Sequence, residues 1–138
     1  MSPSFVHRRR ILFGDCDPGG IIYTPRVAHF VAEAGLEFLR ARLGDGAERR
    51  MFAMGVAPPA RALSIEFLAP MTWDDELNVE VKVKEIRTRA LVVSFVGRVA
   101  AKTVFTAEIT QVFVSKDSMK PVPIPKEIKD ALLTAPDR

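Results

Sequence analysis

Cysteine is almost missing from this chain, with one in 138 residues. A single thiol excludes an intrachain disulfide framework and fits a reducing compartment. Charge of one sign is not in excess either: 20 basic residues face 17 acidic ones, for a net +3. That balance lacks the concentrated basic face that phosphate-rich nucleic acid requires, so no nucleic-acid partner is expected. Long hydrophobic runs are absent, and stretches such as Ala90 to Val93 fall far short of the roughly 20 residues that span a bilayer. "HRRRILF" has a basic start, but its apolar part stops at once in "GDCD", so neither a signal peptide nor a membrane partner is expected. There is no internal repeat, linker or low-complexity segment. Hydrophobic residues make up 48%, an ordinary globular level that argues against disorder. The expectation is one cytoplasmic domain over residues 1–138, able to bury roughly two-thirds of its unfolded surface.

Periodicity orders the elements. Val6 to Phe13 alternates loosely and stops at Gly14, which predicts a strand. Thr24-Pro25 offers a hydroxyl N-cap followed by proline, whose missing N–H is harmless at a helix start. Val27, Phe30, Val31, Ala34 and Phe38 continue as a helical stripe to about Arg42, and "LGDG" ends it. Ala28, Ala32 and Gly35 keep the other faces poor in charge, so this helix is expected to be buried on several sides. Arg49 to Ala62 reads as irregular, because Pro58-Pro59 forbids regular structure. From Leu63 the period becomes two: Leu77, Val79, Val81 and Val83 face one way, and Asn78, Glu80, Lys82 and Lys84 the other. Leu63 to Leu68, Leu91 to Val99 and Val104 to Val114 add further strands. A proline-rich segment and a short helix near Pro125 follow. One long helix and long antiparallel strands predict an α+β fold, with the sheet curled round the helix.

The chemistry concentrates in "FGDCDPGGIIYTPRV", Phe13 to Val27. Asp, Pro and Gly-Gly together make an ordinary turn. This turn, however, delivers Asp17 close to a helix start, where unpaired backbone N–H groups point outward. Such donors stabilise an anionic carbonyl oxygen. A carboxylate beside them suits acyl transfer: one group attacks or activates water while the other polarises the carbonyl.

"FGDCDPGGIIYTP", the helix after it, and "IEFLAPMTWDDELNVEVKVKEI" (Ile65 to Ile86) resemble hotdog-fold acyl-CoA thioesterases of the 4-hydroxybenzoyl-CoA type. They also resemble the related short-chain enzymes of the Tol-Pal gene cluster. The resemblance spans nearly the whole chain and implies a long antiparallel sheet wrapped round one central helix. It implies that Asp17 is the catalytic carboxylate, as nucleophile through a mixed anhydride or as base for water. The backbone N–H that polarises the thioester carbonyl falls near Thr24. Tyr23, Phe30 and Ala34 are implied to border the acyl group, and Arg87 and Arg89, bracketing a hairpin tip, to hold the phosphates of coenzyme A. Sites built between subunits imply a dimer or a homotetramer. No metal and no redox cofactor are implied.

Two departures bear on the substrate. Thr24 stands where the short-chain branch often has histidine. Ala32 stands where the hydroxybenzoyl branch has a carboxylate that meets the phenol, and Glu33, one residue on, turns about 100° away. An aromatic or short acyl group is the expectation. Asp15 is expected to hold the turn, and Cys16, between two carboxylates, to fill space, since like charge disfavours its thiolate. His7 and His29 fit no triad. Arg8 to Arg10 read as an edge-strand guard, and Trp73, Asp74 and Asp75 as packing and turn residues. The rival readings are a hotdog dehydratase and a non-catalytic acyl-CoA sensor, in which Asp17 is only a turn residue.

Overall fold

The computed structural model describes residues 4–134. Strand β1 (Phe5–Arg10) leads through a 3-10 turn at Phe13–Asp15 to the long helix α1 (Thr24–Leu43). A short helix α2 (Ala47–Ala53) and strands β2 (Val56–Ala57), β3 (Ala60–Phe67), β4 (Glu76–Ile86), β5 (Ala90–Val99), β6 (Lys102–Val112) and β7 (Val114–Ser115) follow, and α3 (Lys126–Leu133) comes last. One antiparallel sheet has the order β1-β4-β5-β6-β3, and β2 pairs with β7 in a small ribbon. No helix among the described residues is long and apolar enough to cross a membrane.

The core follows from alternation. Leu77, Val79, Val81 and Val83 of β4 are buried, while Lys82 and Lys84 face solvent. Each buried aliphatic chain contributes about 1.5–3 kcal/mol. The β4–β5 register shifts between Val83 and Glu85, a bulge that breaks the sequence alternation at this point. On β5, a Cβ at Gly97 would stand 2.2 Å from the Phe105 ring. Only a residue without a side chain lets that ring lie across the strand.

Helix α1 lies over β1 and β4, burying Val27, Phe30, Val31, Ala34 and Phe38. Ile128 and Leu132 of α3, both fully buried, close the core beside it. The β3 end of the sheet is less covered. β3 is an edge strand, and its Leu63 and Phe67 are 47% and 48% exposed. Within one chain the sheet therefore encloses its helix only in part.

Two local expectations change. Residues 49–62 are largely regular, because Ala47 and Met51 of α2 reach the core and hold a helix that no side-chain cap supports. The prolines confine the irregular stretch to the short link between β2 and β3. Thr24 is the first residue of α1 and not its cap. Tyr23 takes the cap position without a side-chain bond, since backbone pairing sets the entry: Ile22 N–H donates to the Met71 carbonyl at 2.8 Å and Tyr23 N–H to that of Asp15 at 3.0 Å.

Candidate active site

Cys16 and Ile22 bridge antiparallel across the corner between β1 and α1. Between them, Asp17 N–H donates to the Ile21 carbonyl and Gly20 N–H to the Asp17 carbonyl, each at 2.9 Å. Asp17 Oδ1 accepts the Gly19 N–H at 2.8 Å, so the side chain is part of its own turn. Oδ2 has no partner among the described residues. Gly20 has φ +84°, and a Cβ there would meet the Trp73 ring at 3.3 Å. Thr72 Oγ1 donates to the Gly20 carbonyl at 2.7 Å, which fastens the turn to the strand entering β4.

The donors at the helix start sort themselves. The N–H groups of Ile22, Tyr23 and Arg26 are bonded to the carbonyls of Met71, Asp15 and Tyr23. Pro25 has no N–H. Thr24 N–H has no acceptor among the described residues, and Thr24 is exposed. An unpaired helix-start donor carries part of the positive end of the helix dipole.

Beneath the turn sits Asp15, only 6% exposed. Its Oδ2 accepts the Leu12 N–H at 2.9 Å and lies 3.4 Å from Arg9 Nη2, while its Oδ1 lies 3.5 Å from Arg26 Nε. Arg9 also donates through Nη1 to Glu33 Oε1 at 3.0 Å, and Glu33 Oε2 lies 2.9 Å from His7 Nε2. A buried carboxylate needs such partners, because desolvation without them is costly. Burial raises the Cys16 thiol above its ordinary range, and the carboxylates of Asp15, Asp17 and Asp75 push it the same way against a Trp73 backbone hydrogen bond. A neutral thiol is a poor nucleophile.

A cavity of about 350 Å³ opens between α1, α2 and the sheet, lined by Ala32, Gly35, Leu36, Phe95, Gln111 and Phe113 among others. Gln111 commits its amide N–H to the Pro58 carbonyl at 3.0 Å. The first helical residue of the lining, Ala32, stands two turns, or about 12 Å, beyond Thr24 along the axis.

Comparison with known proteins decides the family. The model of the Thioesterase-like superfamily matches residues 11–132. The chain belongs to that superfamily. It is 31% identical over 124 residues to the acyl-CoA thioesterase YbgC of Haemophilus influenzae, covering 88% of this chain and 89% of that protein. It is 29% identical over 93 residues to the 4-hydroxybenzoyl-CoA thioesterase of Pseudomonas sp. strain CBS-3, covering 67% and 66%. Among solved structures, a thioesterase-superfamily protein from Jannaschia sp. superposes with a TM-score of 0.88 at 27% identity, covering 96% of this chain and 95% of that one. The hotdog fold and a thioester-hydrolysing enzyme, both read from the sequence, stand.

For a member of this superfamily, the fold distributes the expected residues unevenly. Asp17, Tyr23 and Thr24 share one corner. Phe30 and Ala34 do not border an open pocket in the single chain: both are fully buried, because their helix face turns toward the core. The cavity instead takes the far face of the helix, through Ala32, Gly35 and Leu36. Arg87 and Arg89 do sit at the β4–β5 tip. That tip is at the far end of β4 from Asp17, roughly 35 Å along the strand. Arg87 pairs with Glu85 on the same tip, and the Arg89 side chain has no partner among the described residues. His29 is exposed. Trp73 stacks edge-on with Phe13 at 5.2 Å, and Asp75 caps the turn through the Thr72 N–H at 2.9 Å. Among the described residues, no three His, Cys, Asp or Glu side chains converge as metal ligands would.

Sequence reading missed the inward role of Arg9 and Glu33. The signal was available: in β1, Phe5, His7 and Arg9 share one face, and Phe5 packs on Phe38 of α1 at 6.0 Å.

Proposed function

We propose that the chain hydrolyses an acyl-CoA to a free acid and coenzyme A, with Asp17 as the reacting carboxylate and Thr24 N–H as the donor to the thioester oxygen. One observation carries this: the corner presents a carboxylate oxygen and a helix-start N–H that no group among the described residues occupies. The free oxygen of Asp17 serves in one of two ways. It attacks the carbonyl carbon, expelling the thiolate and leaving a mixed anhydride that water then cleaves. Or it takes a proton from water as the water oxygen attacks, and the C–S bond breaks as the tetrahedral oxyanion collapses. In both, negative charge grows on the carbonyl oxygen, where an N–H donor is worth most. Turnover in 18O-labelled water separates the routes, since only the first, with water attacking the Asp17 carbonyl of the anhydride, leaves label in the Asp17 carboxylate.

The apolar cavity beyond Ala32 takes the body of the acyl group. Its lining is mostly apolar, with Glu48 and Gln111 its polar side chains, which suits an aromatic or short aliphatic acyl group.

A second copy completes the site in this reading. The unpaired β3 edge, with Leu63 and Phe67 exposed, suits antiparallel pairing with the β3 of another chain. Such pairing reverses the second sheet, so the second copy's Arg87 and Arg89 come to the end of the assembly that holds Asp17. A dimer, or a tetramer of two dimers, follows, with the phosphates of coenzyme A on the opposite chain's tip. The remaining rival is an acyl-CoA sensor without turnover.

The test is release of free thiol from benzoyl-, hydroxybenzoyl-, phenylacetyl-, acetyl-, butyryl- and palmitoyl-CoA by wild type and Asp17→Asn. Turnover lost in the variant with binding retained is the expected result. Binding without turnover in wild type would favour the sensor.

A further inference from the structure

Arg9 lies beneath the corner with its side chain 18% exposed, and nothing in the chemistry above requires it. Its guanidinium sits 4.4 Å over the Phe30 ring. One nitrogen reaches Glu33 on the third turn of α1 at 3.0 Å, and another reaches Asp15 at 3.4 Å. Its Nε is buried without an acceptor, a cost that stability alone does not explain. The pattern is a bridge. Asp15 belongs to the turn that carries Asp17, and Glu33 belongs to the body of the helix whose first N–H faces the site.

Each carboxylate also keeps a second cationic or hydrogen-bonding partner: Arg26 and Leu12 N–H for Asp15, and His7 for Glu33. Removal of Arg9 therefore leaves neither acid stranded. What is lost is the tie from the turn to the third turn of α1, because Arg26 links Asp15 only to the first turn of that helix.

We propose that Arg9 is a positioning residue for thioester hydrolysis, holding the Asp17 turn at a fixed distance from the N-terminal half of α1. This rests on Asp17 as the reacting carboxylate. Two groups that must act on one carbonyl tolerate little relative movement, and a displacement of about 1 Å can cost a hundredfold in rate. A planar guanidinium that spans two carboxylates and stacks on a ring resists such movement better than two separate ion pairs.

The experiment compares Arg9→Met, which keeps the apolar stem over Phe30, and Arg9→Lys, which keeps charge but has one nitrogen for two carboxylates. Both are made alone and in the Asp17→Asn background, with kcat, KM and thermal unfolding measured. Expected for Arg9→Met is a folded protein whose kcat falls about tenfold or more with KM nearly unchanged, with Arg9→Lys intermediate. In the Asp17→Asn background the same change should leave the residual rate as it is, because the positioned group is already gone. An unchanged kcat in Arg9→Met beside a dead Asp17→Asn would overturn the proposal and spare the reading of Asp17. Equal losses in both backgrounds would do the same, by marking a general structural role. Full turnover in Asp17→Asn would overturn both. Should Arg9→Met fail to fold, Glu33→Gln replaces it; the same kcat-selective, Asp17-dependent loss is expected, and no loss overturns the bridge.

Discussion

The Gly19 N–H donates to Asp17 Oδ1 at 2.8 Å, and a Cβ on Gly19 would stand 3.1 Å from that same oxygen. The glycine thus both holds the carboxylate and leaves it room. Its φ lies outside the left-handed region, so alanine is tolerated by the backbone, and the new methyl must push the carboxylate aside. Gly19→Ala is expected to lower kcat about tenfold with a melting temperature close to wild type. Gly20→Ala, at φ +84° and against Trp73, is expected instead to cost about 1 kcal/mol or more of stability. Steady-state kinetics beside thermal melts on the two variants separates them, and an unaltered kcat in Gly19→Ala would mean the turn does not hold the reacting group.

The two aspartates of the corner should divide cleanly. Asp15 is buried with three partners, so Asp15→Ala leaves Arg9 Nη2 and the Leu12 N–H without that acceptor. A loss of about 3 kcal/mol is expected. Asp17→Ala removes a partly exposed group with one backbone bond, so stability should change little while turnover falls by orders of magnitude. Denaturant unfolding and thiol release on both proteins check the division.

The tip arginines should affect recognition of the nucleotide and leave the chemistry alone. Arg87→Ala with Arg89→Ala is expected to raise KM for an acyl-CoA about tenfold, leave kcat within a factor of two, and leave the KM of an acyl-pantetheine unchanged. Equal effects on both substrates would remove the phosphate assignment. Leu63→Lys on the β3 edge should shift the protein to a monomer in sedimentation and raise KM for the acyl-CoA at least as far as the double arginine variant does.

Cys16 should be sluggish. Because its thiol is raised, the folded protein holds less thiolate than the unfolded chain at any given pH. Iodoacetamide should therefore alkylate native protein more slowly than denatured protein at pH 8, and the gap should narrow only as pH rises through the raised native value. Equal rates at pH 8 would show that the environment does not act on the sulfur.

The sheet was legible because a half-buried strand writes its burial directly into a period of two, as Leu77 to Val83 show. The helix was legible for the same reason at its own period. The pocket was not. The cavity residues Ala32, Gly35 and Leu36 lie roughly 120–180° round the helix from Phe30 and Ala34, and an apolar residue does not announce whether it meets a core or a cavity. Helix α2 was hidden because tertiary packing of Ala47 and Met51, rather than any cap, makes it. Arg9 was masked by three consecutive arginines, although strand alternation puts it on the face of Phe5 and His7, and the β1–β4 register sets it opposite buried Leu77.

The opposed ends of the sheet have a genetic consequence. If each site draws Asp17 from one chain and the tip arginines from the other, lesions in the two places must complement. In a mixed dimer of an Asp17→Asn chain with an Arg87→Ala, Arg89→Ala chain, one site inherits both defects and the other inherits none. Random mixing of equal amounts would leave about a quarter of all sites fully wild type, so two preparations that are each poor at low substrate would, once their subunits exchange, become an active enzyme.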